Sequence, residues 1–298
     1  MSVLLLQACC RIWGRAAMPY NAHLTNPAMS SNTTIVNKPL PREMQHHTYA
    51  ILRRVEEDHW WFVGRRKILR SFVEPISRLM NPVSSNGKKP RLDILDVGCG
   101  TGANLEMLSE FGDISGVDVS AEAVSYCHAR GLGNVRQAVA EALPFADGSF
   151  ELVTALDVIE HLDDDVAGLR EMWRLLRPDG RILLFVPAFM FLWGVQDDVS
   201  HHRRRYTLAE LKKAVLGAGF EIERASYMNI SFFVPTLLGR LLMRVAGIRP
   251  DSEANVTPGF LNGVLGKILG AESILLRYLN LPFGVSAVCV ARRIERND

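Results

Sequence analysis

The feature that most constrains the fold of this chain is a short apolar run that ends in three alternating glycines. Residues 94–97 are typical of a buried strand, and Gly98, Gly100 and Gly102 follow at once, before a helical pattern begins. Glycines at such a turn let a ligand approach the backbone closely, because no side chain stands in the way. The sequence therefore predicts a strand–turn–helix unit that binds a nucleotide-like cofactor.

Apolar runs and helical windows alternate along most of the chain. Strands are predicted at 92–97, 114–119, 134–139, 151–156, 181–186, 220–227 and 285–291, and helices at 103–111, 120–130, 164–177 and 208–218. Such alternation is typical of βαβ units. We therefore expect an α/β fold, in which helices cover both faces of a mostly parallel sheet.

Three segments extend or interrupt this pattern. Residues 1–43, whose first 42 positions lack Asp and Glu, are predicted to be a disordered leader; an organellar targeting segment and an over-extended start before Met44 are the alternatives. Residues 44–90 are predicted to form an N-terminal helical cap that ends in a polar loop. The rest, 91–298, is predicted to be one domain with an apolar helical insert at 229–285.

The insert is apolar but punctuated by arginines. Its longest charge-free run is about 15 residues and contains Pro235, so we expect no bilayer-spanning helix here. The pattern fits an amphipathic element that lies on a membrane, and it fits a lid packed on the core equally well.

The composition limits which binding partners and which cellular compartment are expected. The 298 residues carry a net charge of +2, which gives no support to a nucleic-acid partner. The five cysteines form no C-x-x-C pair and have no zinc-binding spacing, so free thiols in a reducing compartment, and no metal site, are expected. We therefore expect a cytoplasmic location, with peripheral contact to a membrane through 229–285 as an option.

The second predicted strand narrows the choice of cofactor. Asp118 ends it, twenty residues after Gly98, where a carboxylate accepts hydrogen bonds from both hydroxyls of a ribose. This fits a dinucleotide and an adenosyl sulfonium alike. However, Ala103 stands where a dinucleotide fingerprint has its third glycine, and the carboxylate of Asp96 suits an ammonium group and would repel a pyrophosphate. An NAD-linked dehydrogenase is therefore disfavoured.

Several motifs in a fixed order carry a resemblance to a known family. They are LDVGCGTG, GVDVS, AEALPF, DGSFELV, DVIEHL and LRPDGRILLFVP, and they span about residues 92–187. In this order they resemble the class I S-adenosylmethionine-dependent methyltransferases, above all the type 11 group. The stretches HWWF-x-GRR and HRRRYT are similar to those of a bacterial subgroup, which extends the resemblance over nearly all of 44–292. It implies a Rossmann-like, seven-stranded sheet and S-adenosyl-L-methionine as the cofactor.

The resemblance also implies which residues bind the cofactor. They are Asp96, Gly98, Cys99, Gly100, Gly102, Asp118, Val119, Glu141, Ala142 and Asp157. Asp96 and the glycines would hold the methionine end, Asp118 would bind the ribose, and Asp157 would lie near the sulfonium. The pair at 141–142 would lie by the adenine. Because Val139 replaces the acidic residue usual just before the pair Ala140-Glu141, backbone contacts would have to recognise the adenine.

Two clusters of aromatic and basic residues are the candidates for binding the methyl acceptor. They are Trp60, Trp61, Arg65 and Arg66 in the first, and His201, Arg203, Arg204, Arg205 and Tyr206 in the second. Arginines beside histidines form a natural site for a phosphate or a carboxylate. The alternative is that the tryptophans pack the cap onto the core and the arginines form a solvated loop.

The chemistry expected at this site is methyl transfer to oxygen. A base is required only for a hydroxyl or ammonium acceptor, and His161, His202 and His59 are the candidates. No Asn-Pro-Pro-aromatic motif follows the fourth strand, which argues against methylation of an exocyclic amine. We therefore expect O-methylation of a small or lipid-linked anionic acceptor. The alternative is a non-catalytic protein of the same fold that binds partners through its Trp-rich cap and apolar insert.

Overall fold

A computed structural model of the chain describes residues 46–80, 91–247 and 259–295. Its strands are β1 (Leu92–Val97), β2 (Gly112–Asp118), β3 (Val135–Gln137), β4 (Phe150–Leu156), β5 (Leu176–Pro187), β6 (Phe220–Met228) and β7 (Ser286–Arg293). Its α-helices are α1 (His46–Val55), α2 (Trp60–Met80), α3 (Ala103–Leu108), α4 (Ala121–Ala129), α5 (Asp165–Leu175), α6 (Val195–Val199), α7 (Leu208–Gly217), α8 (Phe233–Ala246) and α9 (Gly259–Tyr278). Short 3-10 turns lie at Ile159–His161, Met190–Leu192 and Ile230–Phe232.

The strands form one sheet, in the order β3-β2-β1-β4-β5-β7-β6. All neighbouring pairs are parallel except those that involve β7, which runs antiparallel to both β5 and β6. The predicted Rossmann-like, seven-stranded, mostly parallel sheet with surrounding helices is therefore confirmed. The predicted helical N-terminal region and the helix before the last strand are also present.

The central strands are apolar because both faces of the sheet are covered. In β1, Leu92, Ile94 and Leu95 have no exposed surface, as expected for a parallel strand between two layers of helices. The helix α3 ends at Leu108, three residues before its predicted end, because β2 already begins at Gly112. A Cβ at position 112 would lie 2.1 Å from the carbonyl oxygen of Leu92, so only glycine lets β2 start this close to β1.

The strand order reverses between β1 and β4. Ile94 of β1 is paired with Ile114 of β2 on one side and with Leu152 of β4 on the other. In open parallel sheets, ligands bind outside the carboxyl ends of the strands at such a reversal. The glycine turn that follows β1 and the loop that follows β4 both lie at this point.

The N-terminal helices and the insert pack on each other, although they are far apart in sequence. A Cβ at Gly64 of α2 would lie 2.7 Å from the side chain of Leu269 of α9, and one at Gly270 would lie 2.6 Å from Lys67. The amide group of Asn262 bridges the carbonyl oxygen of Asp58 and the backbone N–H of Trp60. The two segments therefore share one closely packed layer.

The insert also differs from expectation in one respect. The helix α9 is long and apolar enough to cross a membrane by length and composition, which the charge-free run alone did not predict. About 28% of that stretch is buried against the rest of the protein. The predicted leader at 1–43 lies outside the described residues, as do 81–90 and 248–258. The division of the chain into leader, cap and main domain stays a prediction.

Candidate active site

A cavity of about 570 Å³ lies at the carboxyl ends of β1, β2 and β4, and its size suits a small ligand. The predicted site residues that line it are His59, Trp60, Trp61, Arg65, Arg66, Gly98, Cys99, Gly100, Asp118, Val119, Glu141, Asp157, His161, His202 and Arg205. The predicted residues that do not line it are Asp96, Gly102, Ala142, His201, Arg203, Arg204 and Tyr206.

The glycine turn forms the floor of the cavity in the way the sequence predicts. Gly98, Gly100 and Gly102 have φ angles of 70°, 55° and 92°, a left-handed backbone that other residues rarely adopt. A Cβ at Gly98 would lie 2.5 Å from Val158, whereas one at Gly100 would meet no atom within 4 Å. The space above Gly100 is therefore open to a ligand.

Asp118 stands beside this turn at the end of β2. Its Oδ2 accepts a hydrogen bond of 2.9 Å from the backbone N–H of Gly100, and its Oδ1 accepts one of 2.9 Å from Ser120. These bonds hold the carboxylate against the cavity wall. This arrangement fits a group that binds two neighbouring ribose hydroxyls.

Asp96 lies beneath the turn rather than in the cavity wall. It is 1% exposed, its Oδ1 accepts a hydrogen bond of 2.6 Å from the hydroxyl of Thr154, and its Oδ2 has no hydrogen-bond partner among the described residues. Burial raises the pKa of Asp96 to about 7, and the nearby charge of Asp118 adds to the effect. An unsatisfied buried carboxyl oxygen at this point fits a cationic ligand group nearby.

The loop after β3 supplies one further unsatisfied acceptor. Glu141 lines the cavity, and its buried Oε2 has no hydrogen-bond partner among the described residues. Ala142 turns away from the cavity, since its backbone N–H donates to the carbonyl oxygen of Val139. Glu141 is therefore available to an amino group such as that of adenine, while Ala142 shapes the loop.

Asp157 follows β4 in a strained backbone conformation. Its φ is 60°, which is unfavourable for any residue other than glycine and is tolerated best by Asn and Asp. The guanidinium group of Arg65 forms an ion pair with its carboxylate. Arg65 also lies over the rings of Trp61 and Phe185, 5.9 Å and 5.3 Å from their centroids. The cap thus contributes a cation directly to the cofactor edge.

The aromatic residues of the first cluster pack the cap onto the core and also line the cavity. Trp60 packs on Phe232 of the insert with ring centroids 4.6 Å apart, and both tryptophans contact the core. Trp60 and Trp61 also line the cavity. They therefore join the cap to the insert and enclose the space next to Asp157.

Two arginines of the second cluster are engaged away from the cavity. Arg203 donates to the carbonyl oxygen of His161 at 2.8 Å and pairs with Asp163 at 2.5 Å. Arg204 donates to the carbonyl oxygen of Asp163 at 2.9 Å and pairs with Asp165 at 3.3 Å. Both guanidinium groups therefore tie this loop to the start of α5, and the structure does not bring them to the predicted acceptor site.

The remaining members of that cluster, Tyr206, His201 and Arg205, do not lie together at the cavity. Tyr206 is buried and donates a hydrogen bond of 2.7 Å to Asp165, and burial strongly raises the pKa of its hydroxyl. His201 has a φ of 55° and lies in the loop outside the cavity wall. Arg205 is 8% exposed and does line the cavity, but its guanidinium group is bound to the carboxylate of Asp197.

The three candidate bases all reach the cavity, and two of them are in contact. The rings of His161 and His202 meet edge to face with centroids 4.7 Å apart. The carboxyl group of Glu160, fully buried, lies beside them, and one polar atom from each of the three residues falls within 4.8 Å of the others. The charges of Arg65 and Arg205 act on Glu160 as well, and these two guanidinium groups are themselves paired with Asp157 and Asp197.

Some residues of the cavity could not be found from sequence reasoning. Glu56, in the turn after α1, lines it, accepts a hydrogen bond from the hydroxyl of Thr101 and pairs with Arg130. Arg240 of α8 lines it from the insert and lies against Gly194. The position of Arg240 within an apolar helical stretch was the one available signal, and it is the buried residue of α8, whose apolar side chains are largely exposed.

Comparisons with known proteins agree with this geometry. Residues 95–184 match the sequence profile of the family described as a methyltransferase domain. They hold the glycine turn, Asp118, Glu141 and Asp157. Residues 95–184 are a class I, S-adenosylmethionine-dependent methyltransferase domain. The unsatisfied oxygens of Asp96 and Glu141, the open space above Gly100 and the carboxylate of Asp118 fit that cofactor.

The relatives of this methyltransferase domain differ in what they are reported to do. A probable S-adenosylmethionine-dependent methyltransferase of Mycolicibacterium smegmatis is 31% identical over 135 residues, which is 44% of this chain and 52% of that protein. A ubiquinone biosynthesis O-methyltransferase of Xanthomonas oryzae pv. oryzae is 31% identical over 140 residues, or 43% and 55% of the two chains. The matched region thus spans about half the length of these relatives.

A solved structure shows the same fold over a longer region. A chain of the complex between the Haloferax volcanii Trm112 methyltransferase activator and a methyltransferase superposes with a TM-score of 0.54. The superposition covers 85% of this chain and 97% of the other at 17% identity. At that identity the likeness extends to the fold alone.

Proposed function

We propose that the whole chain is an S-adenosylmethionine-dependent O-methyltransferase that acts on a small or lipid-linked acceptor with an anionic group. The observation that carries this proposal is a single cavity. Its wall contains the glycine turn and Asp118, and it also contains Arg65, His59 and His202 from the two clusters. The likeness to a ubiquinone biosynthesis O-methyltransferase supports transfer to oxygen. We also place the chain in the subgroup that carries the HWWF-x-GRR and HRRRYT stretches, since both stretches contribute side chains to the cavity.

Little covalent chemistry is required of the protein. The bound cofactor supplies an activated methyl group on a sulfonium, so the rate depends chiefly on holding the acceptor in line with it. Asp118 and the glycine turn would hold the cofactor, and Trp60, Trp61 and Arg65 would hold the acceptor. The enclosing cap excludes water from between them.

The anionic group of the acceptor is inferred from Arg65. Its Nη1 is paired with Asp157, but its buried Nη2 has no hydrogen-bond partner among the described residues. Arg66 is different, because its guanidinium group donates to the carbonyl oxygens of Glu56 and Glu57. A carboxylate or phosphate on the acceptor would complete the hydrogen bonds of Arg65.

The link to lipid is inferred from the surface of the insert. Fourteen of the eighteen large apolar side chains exposed among the described residues belong to 229–285. They are Val234, Leu238, Leu241, Leu242, Val245, Phe260, Leu261, Val264, Ile268, Ile274, Leu275, Tyr278, Leu279 and Phe283. A concentration of this kind marks a docking surface.

The charges on the insert favour an anionic lipid surface as the occupant. Within its described part, the exposed charged residues are Arg244, Lys267 and Arg277, all cationic. The carboxylate of Glu272 is buried and accepts hydrogen bonds from the backbone N–H groups of Ile230 and Ser231. Apolar side chains with surrounding cations are typical of helices that lie in the headgroup region. We propose a cytoplasmic protein that contacts membranes peripherally through this surface.

Calorimetry with S-adenosylhomocysteine tests the cofactor part of the proposal. We expect one site per chain in the wild type and loss of binding in Asp118→Asn, measured well below the melting temperature of the variant, which should be lowered because the amide nitrogen cannot accept one of the two backbone hydrogen bonds. Absence of binding by the intact chain would contradict the proposal and favour a non-catalytic protein that binds partners through its cap and insert.

A pair of acceptors tests the chemistry. Formation of S-adenosylhomocysteine would be measured with 3,4-dihydroxybenzoate, which is anionic, and with catechol, which is neutral. We expect kcat/KM to be higher for the anionic acceptor. Equal kcat/KM values for the two acceptors would contradict the inference that Arg65 binds an anionic group of the acceptor.

Co-sedimentation with vesicles tests the membrane part. Vesicles of phosphatidylglycerol and phosphatidylcholine should bind the wild type, and Val245→Glu and Phe260→Glu should weaken this binding, since these side chains are 81% and 85% exposed. Leu216→Glu is the matched control, because Leu216 is 55% exposed on α7, outside the insert. Equal binding by all four proteins, or none by the wild type, would contradict membrane contact.

A further inference from the structure

Three histidines line the cavity, and their surroundings distinguish them. The ring of His161 is hydrogen-bonded to the backbone of Ser200 and of Asp157, and burial lowers its pKa to about 4. Nδ1 of His59 accepts a hydrogen bond of 3.4 Å from the backbone N–H of Trp61. Nδ1 of His202 is bonded to a buried carboxylate.

The partner of His202 is Asp197 of α6. Nδ1 of His202 lies 2.8 Å from Oδ1 of Asp197, and the backbone N–H of His202 donates to the carbonyl oxygen of Asp197 at 2.9 Å. Nε2 of His202 points the other way and lies 4.0 Å from Oε1 of Glu160. The ring is therefore held by one nitrogen, and the other faces the wall shared with Glu160 and His161.

Asp197 is built to remain ionised although it is fully buried. Burial alone would raise its pKa, but hydrogen bonds from His202 and Arg205 and the charge of Arg205 bring the pKa down to about 2. Arg205 donates from Nε at 2.8 Å and from Nη2 at 3.0 Å, and the backbone N–H of Gly194 donates at 2.7 Å. An ionised carboxylate only accepts hydrogen bonds, so the hydrogen of the neutral imidazole must lie on Nδ1 and the lone pair on Nε2.

We propose that His202 removes the proton of the methyl acceptor through Nε2 and that Asp197 is the residue that positions it. This inference rests on the proposed function. As the acceptor oxygen forms its bond to the methyl carbon, the carbon–sulfur bond breaks and its electron pair stays on sulfur. The proton of the hydroxyl passes to Nε2, which leaves an imidazolium paired with Asp197 until it returns the proton to water. This is the role that a buried aspartate plays beside histidine in other enzymes.

The other charged groups around His202 are compatible with this role. Glu160 and His161 face it from the 3-10 turn, Asp197 and Arg205 from its own loop, and Asp157 and Arg65 lie beyond Glu160. Burial and the charge of Asp157 raise the pKa of Glu160 well above its usual range, which favours its neutral form. Asp197 is the carboxylate that is hydrogen-bonded to the imidazole and would stabilise the imidazolium.

Nitrogen-15 NMR of the full chain, first alone and then with S-adenosylhomocysteine added, tests the geometry without any acceptor. The signals of His202 are assigned with His202→Gln. At pH 8 we expect Nδ1 protonated and Nε2 unprotonated in the wild type, and a shift toward the opposite tautomer in Asp197→Asn, whose amide can donate to Nδ1. Asp198→Asn is the matched control, because Asp198 is the next residue and accepts from Trp193 instead. A wild type with Nε2 protonated would overturn the proposal.

Turnover of 3,4-dihydroxybenzoate tests the chemistry. We expect Asp197→Asn to lower kcat about 100-fold with little change in KM, and to move the acidic limb of the pH profile to lower pH. Asp198→Asn should match the wild type. In His202→Ala, added imidazole should restore part of kcat, which a purely structural defect would not allow.

Two outcomes separate this inference from the function on which it rests. Failure of the wild type to bind S-adenosylhomocysteine would remove the proposed function, while the tautomer of His202 could still be read. Intact cofactor binding and turnover with unchanged kcat in His202→Ala would overturn the inference alone. The inference would also fail if a chelator abolished turnover and Mg²⁺ or Zn²⁺ restored it, because a metal ion would then activate the acceptor.

Discussion

The guanidinium group of Arg65 forms an ion pair with the carboxylate of Asp157, the residue after β4 that has a φ of 60°. The two residues are 92 positions apart, one in the N-terminal cap and the other at the carboxyl edge of the sheet. The pair fixes a strained residue of the cofactor edge and leaves one nitrogen of Arg65 for the acceptor.

Replacement of this arginine should affect the acceptor more than the cofactor. In Arg65→Met we expect KM for 3,4-dihydroxybenzoate to rise about 10-fold to 100-fold, the size expected for a lost charge-assisted hydrogen bond. KM for catechol should change little. Arg66→Met is the control, since Arg66 is bonded to backbone carbonyls of the cap and its loss should lower the melting temperature without changing the ratio of the two KM values.

Asp96 is expected to lower the stability of the folded protein at neutral and higher pH and to raise its affinity for the cofactor. Its pKa is raised from 3.8 to about 7, so between these values the folded protein binds a proton that the unfolded chain has released. The contribution of Asp96 to stability is therefore lost as the pH rises from about 4 to about 7. We expect Asp96→Asn to be more stable than the wild type at pH 8, by an amount on the order of a few kcal/mol that shrinks toward pH 4. It should bind S-adenosylmethionine more weakly.

Denaturant titrations of both proteins at pH 4.5, 6 and 8, with calorimetry at pH 8, check this expectation. A stability difference that does not change with pH would show that Asp96 is ionised throughout. Unchanged affinity would show that its unsatisfied oxygen does not serve the cofactor.

Gly100 and Gly131 offer a matched pair for the glycine turn. Both have positive φ, 55° and 83°, and an added Cβ meets no atom within 4 Å at either position. Alanine should therefore cost a similar amount of backbone strain, roughly 1–2 kcal/mol, at each. Only Gly100 faces the cavity, so Gly100→Ala should also lose most of its affinity for S-adenosylhomocysteine, as measured by calorimetry. Equal affinities in the two variants would place the cofactor elsewhere.

The ion pair between Glu56 and Arg130 should hold the cap over the glycine turn. Their side chains are 8% and 4% exposed, and Glu56 also accepts from the hydroxyl of Thr101. Arg130 keeps Glu57 and Glu106 as partners, but Glu56 is its buried one, so Glu56→Gln should cost roughly 1–3 kcal/mol of unfolding free energy and weaken cofactor binding. Glu57→Gln is the control, since Glu57 pairs with the same arginine but is 42% exposed. Denaturation curves of equal midpoint would contradict the structural role of Glu56.

The parts of the site that the sequence predicts are those set by local geometry. The glycine turn needs only its own backbone to bind a ligand, and Asp118 follows because it ends the neighbouring strand. The strand bounds were close to observation for the same reason, since each parallel strand is a short apolar run with both faces buried.

The parts that the sequence could not predict depend on partners far away along the chain. Arg203, Arg204 and Arg205 are identical in type and adjacent, yet two bind the start of α5 and the third binds Asp197. Charge alone does not tell which carboxylate a guanidinium group will reach. Asp197 was missed for this reason, because its importance comes from His202 and Arg205 rather than from its own position.

The contact between α2 and α9, here called the seam, has a consequence for folding during synthesis on the ribosome. At this seam Gly64 leaves room for Leu269, more than 200 residues later, so the helix that carries Trp60, Trp61 and Arg65 is fully packed only when α9 is present. During synthesis the sheet edge with its glycine turn emerges from the ribosome well before α9. Until α9 arrives, the nascent chain holds the glycine turn while α2 still lacks its packing partner.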